Sequence, residues 1–142
     1  MTSDLSSLPP ASATLARHAL RAFETVVGST AGFRVRPGQH QMAQTVAATL
    51  AQADIGEHPT PTKAIAVIQA GTGVGKSAAY ASTAIAMALE RKTRVIISTA
   101  TVALQEQLMS KDLPALARSM EQPFAYAPVS YTHLTLPTSD LV

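Results

Sequence analysis

Residues 64–77 read AIAVIQAGTGVGKS, an almost unbroken apolar run followed directly by a glycine-rich turn that ends in Lys-Ser. Such a run is typical of a strand buried on both faces of a parallel sheet. We expect a helix over Lys76–Glu90 and, because Thr93–Ser98 is rich in β-branched residues, a second strand there. Strand, helix and strand predict a βαβ unit with parallel strands and a right-handed crossover.

Two helices are predicted before this unit. Apolar residues at helical spacing indicate a first helix over Thr14–Val27, which Gly28 would cap. A second helix should begin at Pro37, where the missing N–H costs nothing, and fray near Asp54. Residues 1–13, which are rich in Ser and contain two adjacent prolines, are interpreted as a disordered lead-in.

After the βαβ unit, the pattern predicts shorter elements. We expect a helix over roughly Val102–Met109, a connector, and a short helix that begins at residues 112–114. Phe124–Ala127 is a candidate third strand. The basic residues between the third helix and the second strand are interpreted as a solvated turn, with a contact to a DNA backbone as the alternative; they are Arg91, Lys92 and Arg94. The predicted fold is therefore α/β, with a parallel sheet and flanking helices.

Composition narrows the class of protein. The chain has 142 residues, enough for one domain, and its 46% hydrophobic content excludes wholesale disorder. It has no cysteine, which excludes a disulfide framework, a thiolate metal site and a catalytic thiol in this chain. The net charge of +2 is too small to diagnose nucleic-acid binding. No apolar run approaches the roughly 20 residues of a membrane span, and we expect a monomeric cytoplasmic protein without membrane contact.

The glycine-rich turn has the context of a phosphate-binding P-loop, after a strand and before a helix. Its glycines let the backbone turn tightly, its N–H groups and the helix N-terminus favour anions, and Lys76 supplies a point charge to the β- and γ-phosphates of ATP. The Ser77 hydroxyl is suited to ligate Mg²⁺. The predicted phosphate-binding residues are Ala70, Gly71, Thr72, Gly73, Val74, Gly75, Lys76 and Ser77, of which Lys76 and Ser77 are assigned to catalysis. The alternative is a surface turn that binds nothing.

Two neighbouring segments refine the prediction. Gln39, in the first turn of the second helix, has an amide able to meet both a donor and an acceptor of adenine, although such a residue is often merely solvated. Thr99 and Thr101 follow the second strand, where small hydroxyls can bond a phosphodiester backbone without reading its sequence. Ordinary helix capping by either threonine is the alternative, and both roles can coexist.

Four motifs occur in an order that resembles the DinG-type bacterial helicases, which are relatives of XPD in helicase superfamily 2. They are RPGQHQM at 36–42, AGTGVGKS at 70–77, STATVALQEQL at 98–108 and SKDLP at 110–114, within a resemblance that spans roughly residues 33–127. Ala70 replaces the first Gly of the usual pattern, a common helicase variant. Gln69 is a departure, since the family usually has an acidic residue there.

The resemblance implies a partial RecA-like P-loop NTPase lobe, the first part of a helicase motor at residues 14–127. It implies ATP-driven unwinding of DNA with 5′-to-3′ movement. Arg36 and Gln39 fall in the adenine-side motif, while Thr99, Thr101 and Gln105 fall in the segment expected to touch single-stranded DNA. Many relatives carry an iron–sulfur cluster on four cysteines, which we expect only in a region beyond this sequence.

The catalytic apparatus of such a helicase is incomplete in this sequence. It contains no adjacent Asp-Glu pair to hold Mg²⁺ and activate water, so we expect a truncated, inactive fragment of a longer parent. Residues 128–138 break with the preceding pattern and resemble a translated sequencing adapter, and residues 128–142 are interpreted as a non-native tail. The rival interpretation of the tail is a genuine β-strand.

Two other functions stay open. A different P-loop ATPase, such as a kinase or a replication-associated remodeller, would share the loop but lack DNA-stimulated hydrolysis in the parent. A non-catalytic nucleotide-binding or interaction fragment would expose strand edges and apolar faces that lost their neighbours.

Overall fold

The computed structural model describes residues 5–29, 34, 36–56, 59, 63–73 and 75–129. After a short 3₁₀ turn at Leu5–Ser7, its helices are α1 (Pro10–Ser29), α2 (Pro37–Gln52), α3 (Lys76–Glu90), α4 (Val102–Gln107) and α5 (Leu113–Ser119). The adapter-like residues lie outside the described part, apart from Pro128 and Val129. No helix in this described part is both long and apolar enough to cross a bilayer.

The three long helices pack against one another through small side chains. Ala16, Ala19, Ala43, Ala47 and Ala79 are fully buried where these helices meet. Phe23 is also fully buried and fills the space between α1, α2 and α3 together with partly buried neighbours. The core of the described residues is therefore alanine-rich, and its helices pack on each other where a sheet was expected.

The helix bounds follow local signals. Pro37 occupies the first position of α2, and α3 covers the residues predicted for it. Helix α1 begins at Pro10, four residues earlier than the spacing predicted, so Pro10–Ala13 form its first turn and Ala13 is buried. In α2 the most buried face carries Met42, Ala43 and Ala47, while Val46 is only partly buried.

The predicted parallel sheet is absent from the described residues, and the α/β RecA-like prediction is wrong for this structure. Residues 63–70, 93–99 and 123–129 are extended, but none of them forms a β-ladder. A strand needs a hydrogen-bonded neighbour along its length, and β-branched composition does not supply one. Each segment instead packs on the helices through apolar side chains. Ile68 packs against the cluster around Phe23, and Ile97 and Phe124 pack against the cluster that α3 and α5 share.

The predicted connector after α4 is a π-helical turn, Leu108–Asp112, so that α4 and α5 continue one into the other. The backbone N–H of Leu113 donates to the carbonyl of Leu108, five residues earlier. Pro114 has no N–H to return to Ser110, and the widened turn accommodates this missing donor. Leu108, Leu113 and Leu116 are buried on the side that faces α3.

Arg91 is not part of a solvated turn as the sequence predicted. Its Nη1 donates to the carbonyl oxygens of Leu50 at 3.0 Å and Ala53 at 2.8 Å. These carbonyls lie at the C-terminal end of α2, where a helix leaves acceptors unsatisfied and favours a cation. Arg91 therefore ties the end of α3 to the end of α2 across 38 to 41 residues of chain.

Replacing Arg91 by Met should lower the free energy of unfolding by about 1–2 kcal/mol, because two carbonyls lose a charged donor while the aliphatic stem is kept. Arg94→Met is the matched control, since Arg94 is exposed. Urea unfolding followed by circular dichroism compares the two variants. Equal stability of both would contradict a capping role for Arg91.

Substitutions at two adjacent residues of the segment before the loop should affect stability to different extents. Val67 is 96% exposed, and Val67→Ala should change stability by less than about 0.5 kcal/mol. Ile68 is half-buried against the Phe23 cluster, and Ile68→Ala should cost about 1–2 kcal/mol of apolar burial. The same unfolding measurement tests this, and a larger cost at Val67 would show that this residue is covered in solution.

Candidate nucleotide-binding site

The glycine-rich loop leads directly into α3. Gly73 and Gly75 have φ angles of +75° and +82°, in the left-handed region that favours glycine. Gly75 is the residue before α3, and its carbonyl accepts the N–H of Ala79 at 3.3 Å. The loop therefore turns sharply at the N-terminus of a 15-residue helix, as the sequence predicted.

Lys76 folds back over the start of the loop. Its Nζ donates to the carbonyl oxygens of Ala70 at 3.0 Å and Gly71 at 2.9 Å. An ammonium has three N–H donors, and these contacts use two of them. The positive charge of Lys76 is thus held at the loop.

The first turn of α2 reaches the loop from another side. Arg36 Nη1 donates to the carbonyl oxygen of Gly73, and Gln39 Nε2 donates to that of Gly75 at 3.0 Å. Arg36 is the N-cap of α2 and Gln39 is three residues later, a spacing that puts both side chains on one side of the helix. The structure therefore brings the two predicted adenine-side residues to the glycine-rich loop.

Gln39 is more buried than the sequence suggested. Its side chain is fully buried, and its Oε1 has no hydrogen-bond partner among the described residues. The bond from Nε2 to Gly75 orients the amide. A buried amide oxygen without a partner costs free energy, which this arrangement has to offset. Solvation, the alternative reading of Gln39, is excluded in this structure.

The electrostatic character of the loop suits an anion. The first turn of α3 contains no acidic residue, and its N-terminus carries the positive end of the helix dipole. Lys76 and Arg36 add two cationic side chains on the loop itself. Ser77 is half-buried in the first turn of α3, next to Lys76. Val74 lies outside the described residues, while Thr72 is exposed.

The three residues predicted to touch DNA lie together at the start of α4. Thr101 Oγ1 accepts the N–H of Leu104 at 3.2 Å and caps α4, which is the alternative that the sequence left open. Thr99 Oγ1 donates to the Thr101 carbonyl at 3.1 Å, and the N–H of Gln105 donates to the same carbonyl at 3.2 Å. Both threonine hydroxyls are therefore occupied in holding the local backbone.

Thr99 and Gln105 also line a groove of about 750 Å³ between residues 93–99 and 123–129. Arg94 is the basic residue of its described lining, which otherwise consists mainly of apolar side chains. A phosphodiester backbone is normally bound by several cationic groups. This groove alone therefore gives little electrostatic support for nucleic-acid binding.

Two loop glycines make a matched test of the backbone geometry. Gly73→Ala should cost about 1–2 kcal/mol of stability, because its φ of +75° is unfavourable for a side chain although open space surrounds it. A Cβ at Gly71 meets nothing within 4 Å and has no such φ, so Gly71→Ala should leave stability nearly unchanged. Thermal unfolding compares the two variants, and equal shifts of their melting temperatures would contradict the left-handed turn at Gly73.

Comparison with known proteins identifies the relatives of this chain. An ATP-dependent helicase DinG of Mycobacterium tuberculosis is 47% identical over 85 residues, which is 60% of this chain and 11% of that protein. The ATP-dependent DNA helicase DinG of Photobacterium profundum is 39% identical over 104 residues, 73% of this chain and 14% of that protein. The Salmonella typhimurium helicase of the same name is 44% identical over 86 residues, 61% and 11% respectively.

No protein-family model and no solved structure matches the chain. The matched segment spans between 11% and 14% of the length of these relatives. Identities of 39–47% over most of the chain confirm the resemblance drawn from the four motifs. The chain is therefore similar to a segment of proteins that are named as DinG ATP-dependent helicases.

Proposed function

We propose that this chain is the ATP-binding part of an ATP-dependent DNA helicase, whose intact parent couples hydrolysis to 5′-to-3′ movement along single-stranded DNA. The observation that carries this proposal is the convergence of Lys76 and Arg36 on one glycine-rich loop at the N-terminus of α3. Relatives named as ATP-dependent DNA helicases support the same assignment.

The loop has cationic groups and N–H donors suited to the phosphates of a nucleoside triphosphate. The oxygens of a polyphosphate carry several negative charges, and cationic side chains and a helix N-terminus bind them with charge-assisted hydrogen bonds. In the proposed complex, Lys76 turns from the loop carbonyls to the β- and γ-phosphates. The three loop glycines leave room for the backbone to approach the phosphates closely.

Mg²⁺ is the proposed metal, and the residues present fit it. This cation is usually held by one or two protein oxygens together with substrate phosphates and water. The Ser77 hydroxyl, in the first turn of α3 beside Lys76, is an oxygen ligand of the required kind. When bound, Mg²⁺ would neutralise charge on the phosphates, while Ser77 would orient it relative to the loop.

Single-stranded DNA is the proposed partner of the intact parent. Thr99, Thr101 and Gln105 lie together at the start of α4, as a shared contact with one DNA strand would require. The hydroxyls of Thr99 and Thr101 and the carbonyl of Thr101 already make local hydrogen bonds. Any DNA contact is therefore proposed to form in addition to the capping role of Thr101.

A second candidate function is a non-catalytic interaction fragment. It is favoured by the apolar side chains that the extended segments expose, since Ile65 is 83%, Val67 96% and Ile96 93% exposed. Solvent-facing apolar groups on unpaired extended backbone favour association with another strand. Sedimentation of the purified chain over a range of concentrations separates a monomeric nucleotide-binding domain from a self-associating fragment.

Lys76→Ala should weaken binding of ATP with Mg²⁺ by about 10- to 100-fold, since one charge-assisted contact to phosphate is lost. Lys63→Ala is the matched control, because Lys63 is exposed and lies outside the loop. Isothermal titration calorimetry on the 142-residue chain measures both. Unchanged binding of ATP in Lys76→Ala would contradict the assignment of this loop as the ATP-binding site.

A turnover measurement separates binding from hydrolysis. We propose that the chain binds ATP without hydrolysing it, because its sequence has no adjacent Asp-Glu pair. Release of inorganic phosphate by the purified chain, stimulated by single-stranded DNA, would contradict this. A different P-loop ATPase would bind ATP equally well, but its full-length parent would show no stimulation by DNA.

A further inference from the structure

We propose that Arg36 and Gln39 are positioning residues that hold the phosphate loop in its binding shape, through its carbonyl groups and independently of the base. This inference rests on the proposed function of the loop. It differs from the adenine-side role that the resemblance implies for these two residues. The first turn of α2, Arg36 to Gln39, is named the brace.

Side-chain donors engage most of the loop's described carbonyls. Four of them accept a side-chain donor: Ala70 and Gly71 from Lys76, Gly73 from Arg36, and Gly75 from Gln39. Three side chains therefore hold the loop at both ends and in the middle. Two of these three belong to the brace.

Peptide geometry links these carbonyls to the N–H groups of the loop. The carbonyl of one residue and the N–H of the next point in opposite directions across a planar trans peptide. A donor that holds the Gly75 carbonyl thus fixes the direction of the Lys76 N–H at the N-terminus of α3. N–H groups at this position of a loop are the ones that cradle a phosphate.

The burial of Gln39 favours a contact with the loop over recognition of a base. Its side chain is fully buried, its Nε2 is bonded to Gly75, and its Oε1 has no partner among the described residues. An amide that reads adenine must offer a donor and an acceptor at an accessible surface. In this structure both atoms are enclosed, and the donor is already engaged by the loop.

The two brace residues differ in their exposure to solvent. Arg36 is exposed, so its replacement leaves the core unchanged, whereas Gln39 lies in the contact between α2 and α3. Gln39→Leu keeps the approximate volume and removes the donor. Arg36→Met keeps the aliphatic stem and removes the donor and the charge.

The experiment compares three probes with each variant of the 142-residue chain in the presence of Mg²⁺: ATP, GTP and inorganic tripolyphosphate. We expect Gln39→Leu to weaken the binding of all three probes by the same factor, about 5- to 10-fold, which corresponds to one lost hydrogen bond. Arg36→Met should also weaken all three equally, and Arg36→Lys should restore part of the loss. Gln41→Leu and Arg34→Met are matched controls at exposed positions.

A loss confined to ATP, with tripolyphosphate binding unchanged, would overturn the proposal and establish adenine recognition. Unchanged binding of all three probes to Arg36→Met and to a folded Gln39→Leu would also overturn it. If Gln39→Leu does not unfold cooperatively, the exposed Arg36 variants decide alone. A wild-type chain that binds none of the probes refutes the proposed function itself, and the inference with it.

Hydrogen exchange of the ligand-free chain gives a readout that does not depend on ligand. The brace predicts faster exchange of the Lys76 amide in Gln39→Leu than in Gln41→Leu, with exchange at the middle of α1 unchanged. Equal rates at Lys76 in the two variants would contradict a bracing contact. Uniformly faster exchange in all helices would show that Gln39 acts on global stability, which also overturns the proposal.

Discussion

The contact between the alanine faces of α1, α2 and α3 is the constraint on which the remaining structure depends. Alanine side chains are small, so helices that meet through them approach closely, and the distance between helix axes follows the side chains at the contact. Ala43 of α2 and Ala79 of α3 are fully buried in one cluster with Phe23. The first turn of α2 contacts the loop, and α3 follows the loop directly in the chain. The packing of α2 on α3 therefore sets the distance between Gln39 and Gly75.

Local signals made the helices and the loop predictable, whereas the sheet was not. Pro37 and the glycine before Lys76 mark two helix starts that the structure reproduces. The β-branched run at 93–98 is extended, yet extension is a property of single residues and a sheet is a property of pairs. No local pattern predicts which segments pair with each other, and among the described residues these segments form no β-ladder.

The candidate site was predictable in its residue types but not in its contacts. Glycines at positive φ and a lysine at a helix N-terminus follow from the sequence pattern. The bonds from Arg36 to Gly73 and from Gln39 to Gly75 join residues 36 to 37 positions apart, which periodicity cannot reveal. The available signal was the three-residue spacing of Arg36 and Gln39, which places them together but does not identify their partner.

Lys76 by itself is not able to hold the loop in shape once its ammonium binds a phosphate, because the same group holds two of the loop carbonyls. An ammonium that turns to a phosphate oxygen gives up the neutral carbonyls of Ala70 and Gly71, so its contribution to affinity is a difference between two sets of hydrogen bonds. Arg36 and Gln39 start from another helix, and their carbonyls at Gly73 and Gly75 need not be released. In the proposed complex, the part of the loop nearest α3 therefore keeps its shape through contacts that the ligand does not replace.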